Sequence, residues 1–348
     1  MAGDASTLYD LGLQLLDVAP LRVATRSKAD RGYALAFDLT PQPAKAGPSR
    51  LTAGQMVDDA IAALLSSCED HLLANQAVAR DGRDPEGVHQ MRVALRRLRT
   101  IISILKREMP SPALQAIGDE AKWLASKLGP AREWDVFITS TLTAPSSNAA
   151  AAEVDFNGLR ELAELHRQTS YTNVQNMLAD PRYNRFILSL SCCIARRAWR
   201  TEIASEDLSI LTEPVSVLAE RVLARLHRKA QKQGAGFRQL APEERHQLRI
   251  TLKKLRYAAE FFHPLYEGRK AKRYIGQLSK LQDALGHQND AAMTLPLLQK
   301  IEQDADAPDV HKALGVVIGW QARDVRAAAK PLRQSWRSFK GVSGFWGA

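Results

Sequence analysis

With 348 residues, 45% of them apolar and 25% charged, the chain is long enough for one large or two ordinary domains, each with a core. Forty-eight Lys and Arg against 38 Asp and Glu leave a formal charge of +10, a balance that attracts phosphates, nucleic acid or anionic membranes without choosing among them. No apolar run approaches ~18 residues, which excludes a membrane-spanning helix, and Cys68, Cys192 and Cys193, odd in number with two adjacent, imply no disulfide framework and fit a reducing, cytoplasmic setting.

Residues 1–50 differ from the rest. Asp4, Asp10 and Asp17 replace the basic start of a secretory signal. Leu8 to Val18 has the pattern of a short amphipathic helix ending before Pro20, and Gly32 to Phe37 reads as a strand-like fragment. Pro41, Pro43, Gly47 and Pro48 make 40–50 a linker. From Leu51 onward helical periodicity dominates. The breaks are Asp81–Pro85, Pro110–Pro112, Thr143–Ser147, Asp180-Pro181, Glu213-Pro214, Gly234–Gly236 and Asp304–Asp309. The expected fold class is all-α.

An internal repeat organises the helical part. HQMRVALRRLR begins at His89 and HQLRITLKKLR at His246, an offset of 157 residues. LASKLG (Leu124 to Gly129) and LQDALG (Leu281 to Gly286) match at the same offset. The chain therefore reads as a duplicated helical unit spanning 51–340, with repeat 1 about 51–205 and repeat 2 about 213–340, and such halves are expected to pack about a pseudo-twofold axis.

On a helix turning about 100° per residue, His89, Arg92, Arg96 and Arg99 lie within roughly 80° of arc. Met91, Leu95, Leu98, Ile102 and Leu105 form a separate apolar stripe. The second copy repeats this with His246, Arg249, Lys253 and Arg256 beside an apolar stripe of Leu248, Leu252, Leu255 and Phe262. Arg97 and Lys254 fall at the margin of the basic stripes, and Tyr257 falls on one of them. No acid interrupts 89–107 or 246–259, although solvated helix faces usually mix signs through Glu–Lys pairs. Like charges crowded on one stripe repel, and an anionic ligand offsets that cost. A stripe about 15 Å long suits an extended phosphate chain better than one phosphate ester. Arginine supplies forked donors that stay charged, and histidine adds a donor that strengthens below a pKa near 6.5.

The pattern H-x-x-R-x-x-x-[KR]-x-x-R at His89–Arg99 and His246–Arg256, LGPAREWDV at Leu128–Val136, LGHQNDAAM at Leu285–Met293 and KKLRYAAEFF at Lys253–Phe262 resembles the CHAD family, the conserved-histidine α-helical domain. The resemblance covers about residues 51–335. It implies two four-helix bundles around a basic cavity, binding of inorganic polyphosphate by the His, Arg and Lys positions above, and in some members association with polyphosphate granules. It also makes Lys122 and Lys280 candidate cavity residues. Glu133 stands where the family's first motif usually has Asp. Leu8 to Ala36 resembles the end of a CYTH domain and its junction with a CHAD domain, although the E-x-E-x-K motif of CYTH domains is absent. A CYTH domain is thus a possible neighbour in a longer protein.

Glu133, Asp135 and Asp290 are better explained by ion pairs or helix capping than by metal binding. The D-x-D at Asp304-Ala305-Asp306 reads as a solvated loop. His71, His166, His227, His263, His287 and His311 lack ligand spacing, and Trp123, Trp134, Trp199 and Trp320 read as core or interhelix anchors. A phosphorelay role for His89 and His246 explains neither the duplication nor the arginines. The expected function is non-catalytic polyphosphate binding with no cofactor and no metal. The alternative is a nucleic-acid-binding helical protein, against which the missing aromatic stacking ladder counts.

Overall fold

The computed structural model describes residues 5–148, 153–266 and 268–347, without the side chains of 5, 205–207, 287–293 and 329. In chain order the helices are α1 (Ala5–Val18), α2 (Lys28–Ala36), α3 (Val57–Ala74), α4 (Gln76–Asp81), α5 (Glu86–Glu108), α6 (Pro112–Lys127), α7 (Gly129–Val136), α8 (Thr143–Ser146), α9 (Asn157–Ala179), α10 (Pro181–Arg196), α11 (Val215–Gln233), α12 (Pro242–Phe262), α13 (Arg269–Asp304) and α14 (Pro308–Lys340). Short 3₁₀ and π turns join some of them. Among the described residues no strand forms, and Met56 and Pro214 make an isolated bridge. None of the described helices is long and apolar enough to cross a membrane.

Two sequence expectations need correction. Gly32 to Phe37 is not strand-like; most of it lies in α2, because Ser27 and Asp30 close a reciprocal capping box with 3.0 Å bonds that starts a helix there. A short apolar run cannot distinguish strand from helix by periodicity alone. The break at Thr143–Ser147 contains a helix of its own, α8.

The chain divides into two compact units. Unit 1 is Met1–Gly129 with Tyr171–Ala219, and unit 2 is Pro130–Ser170 with Glu220–Ala348. In unit 1, α3, α5, α6 and α10 pack around Leu65, Leu72, Met91, Leu95 and Phe186, all buried. Turn chemistry sets the helix starts. Ser111 and Asp180 accept backbone N–H bonds at the heads of α6 and α10, each followed by Pro at the first helical position. A polar knot ties the end of this chain segment back to α3: the carboxylate of Asp58 accepts from Trp199 Nε1 at 2.8 Å, Arg200 Nε at 3.0 Å and Arg197. Burial works against the charged form of Asp58. Bonds from Arg200, Trp199 and Arg197 outweigh it and hold the carboxyl below its usual range.

Unit 2 has a different interior. Trp134 and Phe137 meet Leu159 and Ala163 of α9, Leu298 and Ile301 of α13, and Leu314 and Val317 of α14. A second, aromatic group gathers at the C-terminal end, where Phe345 and Trp346 return onto Tyr274 of α13 at centroid distances of 5.5 and 5.2 Å. Tyr274 Oη lies 2.8 Å from His227 Nδ1, and burial lowers the pKa of that imidazole.

Candidate functional site

In α5 the apolar stripe Met91, Leu95, Leu98, Ile102 and Leu105 is buried, as the 3–4 spacing requires. That orientation leaves His89, Arg92 and Arg96 half-buried and Arg99 exposed on the other side. Glu86 in the first turn and Lys106 and Arg107 in the last agree with the helix dipole. Arg92 has a structural bond as well: its Nη1 donates to the Ala125 carbonyl at 2.8 Å, one of the last-turn carbonyls of α6 that lack a helical partner. Lys122, on α6, is exposed.

Arg97 behaves unlike its neighbours. It is 7% exposed and its guanidinium hydrogen-bonds with Cys68 of α3. Burial pushes the Cys68 thiol up to about 11, against the pull of that cation. The nearby His71 has its pKa lowered by burial and shares a 3.0 Å hydrogen bond with Gln90. Arg97, placed at the margin of the stripe by the helical wheel, thus faces the interior of unit 1.

In unit 2, Leu248, Leu252, Leu255 and Phe262 of α12 are buried, leaving His246 exposed and Arg249, Lys253, Lys254 and Arg256 half-buried. Gln282 of α13 fixes α12 by donating from Nε2 to the Leu252 carbonyl at 2.8 Å. Lys280 is exposed on α13. Arg256 has a carboxylate beside it, with Glu260 Oε1 at 3.6 Å one turn later. That acid lies just past the acid-free run. Tyr257 is not on the exposed stripe: it is 3% exposed, its ring stacks on Phe261 and the Arg256 guanidinium lies 5.2 Å from its centroid.

The other singled-out groups have structural surroundings. Asp135 is buried and accepts from Arg167 Nε at 2.8 Å, and Arg167 also reaches Glu164 at 3.0 Å. His166 stacks on Trp134 and lies 2.9 Å from Asp304, so the D-x-D segment is tied to α9. Trp134 and Trp199 are buried, while Trp123 and Trp320 carry Arg182 and Arg323 over their rings. The side chains of His287, Asp290 and the rest of 287–293, within the second Leu-Gly motif, lie outside the described residues, as does Asp4. Among the described residues no three His, Cys, Asp or Glu side chains form a metal-holding group.

Comparison with known proteins agrees with this helical arrangement. The CHAD domain of the plant Ricinus communis superposes with a TM-score of 0.72 at 30% identity, over 87% of this chain and 98% of that one. PptA from Streptomyces chartreusis shares the fold alone, with a TM-score of 0.61 at 17% identity over 81% of this chain and 100% of that one. No curated protein sequence matches the chain. Residues 63–299 match the sequence profile of the CHAD domain. The chain therefore belongs to the CHAD domain family.

Proposed function

We propose that this protein binds inorganic polyphosphate on the cationic faces of α5 and α12, without cleaving it. The observation that carries the reading is the repeated sequence motif and where it lies on each helix. In each unit one helix buries its apolar stripe and keeps a His-x-x-Arg-x-x-x-Arg/Lys-x-x-Arg series half-buried or exposed. Half-burial strengthens an arginine–phosphate contact, because the local dielectric is lower than in water while the charge persists. The best-buried carboxylates of the two units, Asp58 and Asp135, are engaged by arginines in ion pairs that hold the fold together. Non-catalytic retention on polyphosphate granules is the role this chemistry suits.

The test is a charge-removing variant of each helix. Arg92 is a poor choice because it also holds the end of α6. Arg96→Gln with Arg99→Gln in α5, combined with Lys253→Gln in α12, should weaken long-chain polyphosphate binding on the order of 100-fold. The melting temperature should move little. Unchanged affinity, or affinity lost only together with the fold, would contradict the reading.

A further inference from the structure

The C-terminal half of α14 carries a basic stripe with no counterpart in the repeat. Arg326, Lys330, Arg333, Arg337 and Lys340 follow a spacing of four, three, four and three residues, which places all five on one helix face over about 21 Å. All five are exposed, and the neighbouring face, Leu332, Trp336 and Phe339, is buried. No acid occurs in α14 after Asp324.

This face is built into a groove. The turn after α11 brings Arg238 against it, and the groove, about 520 Å³, is lined by Arg238, Lys330, Arg333, Gln334 and Arg337. The position of Arg238 is set by packing. Phe237 stacks on Trp336 with centroids 5.0 Å apart and planes 8° from parallel. Gly234 passes so close that a Cβ there would sit 2.0 Å from the Trp336 ring, so any larger residue at 234 would push the turn away. Among the described residues, no ion pair joins Arg238, Lys330, Arg333 or Arg337 to a carboxylate. Four cations line one small groove, and like charges within about a screening length of each other, ~8 Å in physiological salt, repel. An anion with several charges removes that cost.

The surroundings narrow the anion. The groove wall offers cations and one amide but no aromatic face, since Phe237 and Trp336 are buried against each other. Single-stranded nucleic acid sites add stacking platforms to a basic groove. A membrane-surface helix keeps its large apolar residues available to lipid, whereas Leu332, Trp336 and Phe339 beside this stripe are buried. From Lys330 to Arg337 the rise is about 10 Å, which suits several linked phosphates better than one. We propose that Arg238, Lys330, Arg333 and Arg337 form a second, independent site for a linear inorganic oligophosphate. The choice of ligand rests on the polyphosphate reading above, but the site uses none of the residues of α5 or α12.

Tripolyphosphate titrated calorimetrically into the full chain tests this. The Arg96→Gln, Arg99→Gln, Lys253→Gln variant should still bind one tripolyphosphate, and adding Lys330→Gln, Arg333→Gln and Arg337→Gln should abolish that binding with little change in melting. If the first variant binds none while the wild type does, the α14 site is refuted and the reading for α5 and α12 stands. If the α14 substitutions alone abolish all binding, the α14 site stands and the other reading falls. Displacement of tripolyphosphate by single-stranded DNA at equal charge concentration would make the groove a nucleic-acid site and overturn the proposal.

Discussion

The two histidine helices carry one sequence pattern in two different settings. In α5 the cations are partly committed to the fold: Arg92 bonds the end of α6, and Arg97 is turned in toward Cys68. In α12 the matching position of Arg97 is Lys254, which is half-buried, and the amide of Gln282 on α13 donates to the Leu252 carbonyl of α12. The acids differ too. Arg256 has Glu260 one turn on, whereas Arg99 has Ser103 at that position. Unit 1 is further fixed by the buried Asp58 knot, and unit 2 by an aromatic group around Tyr274. The repeated sequence pattern thus carries a cationic face in both helices, while different contacts hold each helix in place.

The largest effect should come from breaking the polar knot of unit 1. Asp58→Ala leaves the buried Trp199 N–H unsatisfied and removes the charge-assisted bonds from the partly exposed Arg197 and Arg200, which together cost about 3–4 kcal/mol, read from urea unfolding at neutral pH. Because Asp58's carboxyl is held below its ordinary value, its contribution is complete above about pH 4 and is lost as the pH falls further. The variant should therefore show a shallower acid decline than the wild type. Equal acid profiles would remove Asp58 from that role.

A smaller contrast separates Arg97 from Lys254. Arg97→Ala should cost roughly 2–3 kcal/mol through lost packing and a lost charged hydrogen bond. Lys254→Ala should stay below about 1 kcal/mol. Equal losses in thermal unfolding would mean that the two copies are anchored alike.

The smallest effect concerns the acid. Glu260→Ala should tighten polyphosphate binding a few-fold, since a partly exposed pair is worth about 0–1 kcal/mol. Ser103→Glu should weaken it by a similar factor by giving α5 the pairing that α12 already has. Opposite shifts would show that Glu260 does not modulate the cationic face.

Much of this was legible in the sequence. The apolar periods of α5 and α12 correctly gave their buried stripes, and α1 and most helix breaks followed from Pro, Gly and capping residues. The rest depended on contacts distant in the chain. A helical wheel places Arg97 at the edge of a stripe, but only the fold brings Cys68 of α3 beside it. Tyr257 fell on the basic arc by angle alone, and packing on Phe261 drew it inward. The α14 stripe is visible as a 4-3-4-3 spacing, yet it has no repeat partner, and a reading led by the duplication passes over it. Its significance depends on Arg238, which only the packing of Phe237 on Trp336 brings near.

The most direct test of the central claim is a competition among long-chain polyphosphate, single-stranded DNA and duplex DNA for the wild-type chain, at equal charge concentration and physiological salt. Polyphosphate should displace both nucleic acids and should itself bind more weakly as salt rises. Equal displacement by either DNA would contradict the account.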